Sequence, residues 1–245
     1  MSYWKSAREP RHSLIFVLPL LLAYEALAWT LGRTGQAAVR NGADVLLKEL
    51  FVALGGLYGL RAFAVLLLGT GAFLVIRDIR RSGRPVPRVL GGMVVESVVY
   101  ALTLGVVASA VTSFLLTGRL ALVQGEPLQQ FSLPVQLMVS LGAGIYEELV
   151  FRVLLVAGLA ALAHKVLGWK PLPSGIMAAL LGALIFSGFH YLGPYGDPWR
   201  LDTFTFRAVA GLLFSGLYLT RGFGIAAWTH ALYDVFLTVA GNGGR

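Results

Sequence analysis

The chain has 245 residues, 57% hydrophobic and 13% charged, with a mean hydropathy of +0.74. Soluble domains are about 25% charged, so this composition excludes a disordered chain, a coiled coil and an ordinary soluble domain, and the length leaves no room for a large soluble domain beside several membrane helices. The absence of cysteine excludes a disulfide framework, a thiol nucleophile and a Cys-ligated metal, and the net charge of +8 sits between apolar runs, where membrane topology accounts for it and no nucleic-acid partner is expected.

A spanning helix needs about 20 mostly apolar residues. The first candidate is Ser13–Gly32, behind a basic head of Lys5, Arg8 and Arg11. Its Ala26-Leu27-Ala28 also resembles a signal-peptide cleavage site, but the run is long and carries Glu25, which favours a retained helix. Residues 34–60 are mixed, and Asp44–Leu57 reads as an amphipathic interfacial helix or a loosely apolar connector. Arg61–Ile76 is the next span. The loop after it, Arg77–Arg88, carries five arginines, a cytoplasmic signal that also suits anionic lipid. Val89–Thr117 follows with Glu96 inside it, then a polar loop, Gly118–Phe131. Ser132–Gly168 would be about 55 Å as a straight helix, longer than one crossing of about 30 Å, and Gly142 and Gly144 are the expected break. Ser174–Leu192, a Gly/Pro loop over Gly193–Asp202, Phe204–Thr220 and Gly222–Ala240 complete the chain. The expected fold class is all-α: one integral membrane domain over residues 1–245, a polytopic transmembrane bundle of about 6–8 helices.

Ionisable groups inside a bilayer are functional hypotheses by default. The densest cluster is Tyr146-Glu147-Glu148-Leu149-Val150-Phe151-Arg152. Glu148 and Arg152 lie four apart on one helix face and can pair, leaving Glu147 about 100° around the helix. A charged residue beside a paired carboxylate can make a general base next to a structural acid; a buried ion pair that fixes packing is the plainer reading. The second element is Phe186-Ser187-Gly188-Phe189-His190, with Phe186 one turn below the imidazole. The third is His230-Ala231-Leu232-Tyr233-Asp234, where Asp234 can orient His230 or a shared water, or the pair can serve as a helix–helix hydrogen bond. His12 is expected at the surface, His164-Lys165 at a helix end, and Glu25 and Glu96 are lone acids, either packing contacts or supports for the cluster.

No H-E-x-x-H zinc pattern is present, Asp234 has no partner for an aspartyl dyad, and Ser187 and Ser215 lack the context of a serine nucleophile. Two Glu, two His and one Asp from three helices remain. They can activate water at Glu147 with His190 and stabilise an oxyanion through His230, or Glu147, His190 and His230 can hold one zinc with an open position.

The three elements Glu147-Glu148-x-x-x-Arg152, Phe186-x-x-x-His190 and His230-x-x-x-Asp234, in that order on separate helices, resemble the motifs of the CAAX protease and bacteriocin-processing (CPBP) intramembrane proteases, which include the type II CAAX prenyl endopeptidases. The resemblance covers residues 90–240 as a protease core and leaves 1–88 as N-terminal helices and a basic loop. It implies Glu147 as general base, Glu148 and Arg152 as its support, His190 as a partner in water activation, and His230 with Asp234 on the oxyanion side. The prenyl endopeptidases usually carry Asn where this chain has Asp234. Metal-free glutamate chemistry is favoured over zinc, and no other cofactor is expected. Implied partners are membrane lipids and a membrane-anchored or lipidated protein or peptide substrate with a CAAX-like tail, a leader or a sorting signal. The competing reading is a non-catalytic immunity or chaperone partner, or a proton-coupled transporter, built on the same cluster; a rhomboid-like serine protease using Ser187 or Ser215 ranks third.

If Ser132–Gly168 crosses once with the N-terminus cytoplasmic, Arg77–Arg88, Lys165, Lys170 and Arg221 share the cytoplasmic side; Arg33, Arg40, Lys48 and Arg61 fall on the other. At 1.5 Å per residue, Glu148 lies ~6 Å below an outer start at Gly144, His190 ~24 Å and His230 ~12 Å from their inner helix starts. The site then opens away from the cytoplasm, in a bacterial or archaeal plasma membrane.

Overall fold

The computed structural model describes residues 2–33, 39–116, 130–193 and 196–242, and the described residues are helical with no strand. A short helix α1 (Tyr3–Ser6) leads into α2 (Pro10–Arg33). Helix α3 (Gly42–Ser82) bends where Gly55 and Gly56 leave helical geometry, Gly56 at φ +55°, a conformation open to glycine and strained for other residues. It is therefore two limbs, and the outer limb carries the expected span 61–76. Next come α4 (Pro87–Leu115), α5 (Leu133–Gly142), α6 (Ala157–Lys165), α7 (Pro171–Phe189), α8 (Leu201–Arg221) and α9 (Phe223–Asn242). Among the described residues six helices, α2, α3, α4, α7, α8 and α9, are long and apolar enough to cross a bilayer, so the chain is an integral membrane protein. The polar loop expected at 118–131 falls outside the described residues up to 129, and the 193–202 loop does so at 194–195; Asp202 lies in the first turn of α8 instead of in the loop.

Residues 133–165 form one uninterrupted rod, not the broken pair of helices expected at Gly142 and Gly144. Between α5 and α6 the backbone passes through two π-helical stretches, Ala143–Glu147 and Leu149–Val156. The glycines serve contact instead of a break. A Cβ on Gly144 would lie 2.3 Å from the carbonyl oxygen of Ala227, and one on Gly142 would lie 2.6 Å from the Tyr24 ring. Only hydrogen at these positions lets α9 and α2 approach so closely. Helix α9 runs antiparallel to the rod: Asn242 bonds Gln136, Thr238 meets Ser140, and Ala231 meets Gly144. Helix α2 packs on the same side and gives Val17, Leu20 and Tyr24 to the main buried cluster, as a structural helix does. Helices α7 and α8 form a second antiparallel pair, with Gly175 beside Leu219 and Ser187 bonded to the Phe204 carbonyl.

One end of the bundle is basic and latched. Arg221 pairs with Glu96 and stacks over Trp4, and the Tyr3 hydroxyl donates to Glu96 at 2.6 Å. Burial, reinforced by that carboxylate, pushes the Tyr3 phenol up to about 12, so it remains a donor. Arg11 pairs with Glu9 and Asp78. His12 is not at the surface: it is fully buried, and its Nε2 accepts from the Val86 amide at 2.9 Å. A histidine preceding an apolar run reads as interfacial, but here the chain folds back over it at 83–86, the short turn that stands where a loop over 77–88 was expected, since Arg77, Arg80 and Arg81 lie in α3 and Arg88 in α4. Glu96 is likewise no lone acid. Arg77–Arg88, Lys170 and Arg221 thus share an end, as the charge pattern anticipates.

At the opposite end Asp44 is buried, not interfacial. It accepts from Tyr24 at 2.7 Å and sits 2.7 Å from Lys48 and 3.2 Å from Arg40, while Glu25 pairs with Arg40 and Lys48. Two of the cations that break the positive-inside pattern, Arg40 and Lys48, are therefore neutralised by carboxylates beside them. Gly144→Ala is expected to destabilise the bundle by about 1–3 kcal/mol through overpacking, read as a lower melting temperature of the detergent-solubilised protein. Gly158→Ala, where a Cβ meets nothing within 4 Å, is the control that retains it.

Candidate active site

The rod 133–165 brings two adjacent carboxylates into the bundle, and its π-helical winding sets their direction. π-Segments recur at functional sites because the extra residue re-aims the side chains around it. Glu148 is fully buried and joins two partners: its Oε1 accepts from His230 Nδ1 at 2.7 Å, and its Oε2 faces Arg152 Nε at 3.3 Å. Arg152 is 1% exposed. Besides Glu148 its guanidinium has two aromatic faces, Phe186 at 4.3 Å and Phe214 at 5.4 Å from the ring centres. Phe214 also stacks on the His230 ring at 4.4 Å. The pair expected four residues apart is thus present, and the aromatic walls desolvate it on the remaining sides.

Glu147 points elsewhere. Its Oε1 accepts from Asn41 Nδ2 at 2.7 Å. Its Oε2 is buried with no hydrogen-bond partner and lies 3.9 Å from the Nε2 atoms of both His190 and His230. His190 caps α7, and its Nδ1 meets the Phe186 carbonyl oxygen at 2.9 Å. A carbonyl can only accept, so Nδ1 carries the proton and Nε2 presents its lone pair to Glu147. Phe186 packs edge-on at 4.8 Å under the ring, as the spacing in the motif anticipates. On His230 the Nδ1–H is held by Glu148, so its Nε2 also faces Glu147, with Asp234 Oδ2 at 3.6 Å. All six residues singled out in sequence, Glu147, Glu148, Arg152, His190, His230 and Asp234, therefore share one site.

Other candidates lie apart from it. Ser187 donates to the Phe204 carbonyl and Ser215 to the Gly211 carbonyl, so neither hydroxyl is poised as a nucleophile. Asp197 pairs with Arg207, and Asp202 with Arg200. Glu96 belongs to the basic latch, and Glu25 borders the site only through the Tyr146 hydroxyl at 3.3 Å. Sequence reasoning missed Asn41 and Phe214. An Asn ahead of a helical pattern signals an N-cap, but nothing local announces a bond across 106 positions. Among the described residues, no three His, Asp or Glu side chains are arranged to hold a metal ion.

Residues 129–236 match the family model described as Rce1-like, type II CAAX prenyl endopeptidase, a stretch that contains all six site residues. No curated protein and no solved structure matches the chain. The family is the one that the three motifs resemble, and over residues 129–236 this membrane protein is similar to the CAAX-type intramembrane endopeptidases of the Rce1-like family.

Proposed function

We propose that the chain hydrolyses a peptide bond near the C-terminal or membrane-embedded part of a membrane-anchored, lipidated protein, with Glu147 as general base. The observation that carries this reading is the buried, unpartnered Oε2 of Glu147, 3.9 Å from two imidazole nitrogens. That gap is too long for a direct hydrogen bond and suits one water bound to Glu147 and His190. Glu147 takes a proton from this water as its oxygen adds to the scissile carbonyl. His230, held as the doubly protonated imidazolium by the carboxylates of Glu147, Glu148 and Asp234, donates from Nε2 to the oxyanion while Nδ1–H stays on Glu148. Collapse of the tetrahedral species breaks the C–N bond, and the proton held by Glu147 passes to the leaving amine. Asp234 orients His230. Glu148 and Arg152 hold the ring and the helix, and the aromatic walls keep water away.

Zinc is the second reading, because both rings fix Nδ1 in the way metal-bound histidines do. Donor atoms around tetrahedral zinc stand about 3.3–3.4 Å apart, so Glu147, His190 and His230 would have to close in to hold it. The site lies at the end opposite Arg77–Arg88 and Arg221, and the positive-inside rule supports a mouth on the non-cytoplasmic face, with the N-terminus and the basic segment 77–88 inside.

Glu147→Gln and His190→Ala are each expected to lower cleavage of a farnesylated reporter peptide ending in a C-A-A-X sequence by about 10²–10⁴-fold, at unchanged expression and melting temperature. The wild-type rate is expected to survive chelator. Chelator-sensitive activity restored by zinc would move the same three residues to metal ligands. Arg152→Ala is expected to strand Glu148 without its ion-pair partner and to cost about 3–5 kcal/mol, measured as loss of folded protein on heating.

A further inference from the structure

The N-terminal helices, outside the matched residues 129–236, reach the candidate base directly. Asn41 stands immediately before α3 and is 2% exposed. Its Oδ1 accepts from the Ala43 amide at 2.9 Å, and its Nδ2 donates to Glu147 Oε1 at 2.7 Å. These two bonds fix the amide in one orientation. A flip would set its NH2 against a backbone N–H and its oxygen against a carboxylate.

The turn that carries Asn41 is itself pinned. Asp44, one turn on, is held by Tyr24, Arg40 and Lys48. Gly142 on the rod makes room for it, since a Cβ there would lie 2.7 Å from Asn41 Cβ. A glutamate side chain has three torsions. With Oε1 tied to a neutral donor on a separate, anchored helix, Oε2 is left facing His190 and His230. The geometry points to Asn41 as a positioning residue for Glu147, and to residues 39–48 as part of the active-site framework instead of a membrane anchor. This inference rests on the reading of Glu147 as the base.

Two substitutions separate positioning from capping. Asn41→Ser keeps an N-cap oxygen, but its hydroxyl, on Cβ, stops short of Glu147. Asn41→Asp keeps the cap and the size, and turns a carboxylate oxygen toward Glu147. In the full-length protein, assayed on the farnesylated C-A-A-X reporter, both are expected to lower kcat about 10- to 100-fold, with KM within about 2-fold of wild type. Asn41→Ser leaves Glu147 Oε1 without its donor and lowers the melting temperature modestly, and Asn41→Asp, which sets two carboxylates against each other, lowers it further. Combining Asn41→Asp with Glu147→Gln restores that stability, because the new amide donates back across the same gap, while the protein stays inactive. Wild-type kcat in both single variants, or a kcat loss in Asn41→Ser that only follows a loss of folded protein, overturns the inference. Glu147→Gln alone tests the parent reading: if it still cleaves, the base is misassigned; if it is dead while Asn41→Ser turns over normally, only the role of Asn41 fails.

Discussion

Arg152 is a cation buried in the middle of a membrane protein, and the core is organised around keeping it there. A charge at that depth costs at least a few kcal/mol, and a single carboxylate offsets this only with good geometry and little competing water. Glu148 supplies the carboxylate, and Phe186 and Phe214 supply polarisable faces. Each of these partners also touches a histidine of the site: Glu148 holds His230 Nδ1, Phe214 stacks on the same ring, and Phe186 lies under His190 while its carbonyl accepts a hydrogen bond from His190 Nδ1. The ion pair and the two histidines are thus one packed unit, which directs both imidazole Nε2 atoms toward Glu147.

Around that unit the bundle divides its polar residues by end. The basic end is closed by buried pairs between distant segments, Arg221 with Glu96 and Arg11 with Asp78, and by the His12 contact with Val86 in the turn between α3 and α4. The opposite end carries the site and a balanced set of charges, Glu25, Asp44, Arg40 and Lys48. Apolar side chains of α3 such as Leu57, Val65, Leu68 and Phe73 face outward instead, as expected where the surroundings are lipid. The end that carries the candidate site is therefore held by the ion pairs of Glu25 and Asp44 and by the close contacts at Gly142 and Gly144.

Much of this was legible in the chain itself. Charges inside apolar runs announce a site because a bilayer tolerates few of them, and four-residue spacing placed Glu148 with Arg152 and His230 with Asp234 on shared faces. What was not legible depends on packing between distant segments. The Gly142 and Gly144 pair has two meanings in sequence, a break or a close approach, and only the neighbours Tyr24 and Ala227 decide between them. π-Helical winding leaves no composition signal. His12 and Asp44 looked interfacial because their partners, the Val86 amide and Tyr24, lie 74 and 20 residues away. Asn41 advertises a cap and conceals a contact with Glu147.

The central claim is that Glu147 activates a water that becomes part of the product. The most direct measurement is cleavage of the reporter in isotopically labelled water, with mass analysis of the new C-terminus, for wild type and Glu147→Gln with and without chelator. The account predicts one labelled oxygen in the new carboxylate for wild type, the same with chelator, and no product from Glu147→Gln. Labelled product from Glu147→Gln at the wild-type rate would contradict it.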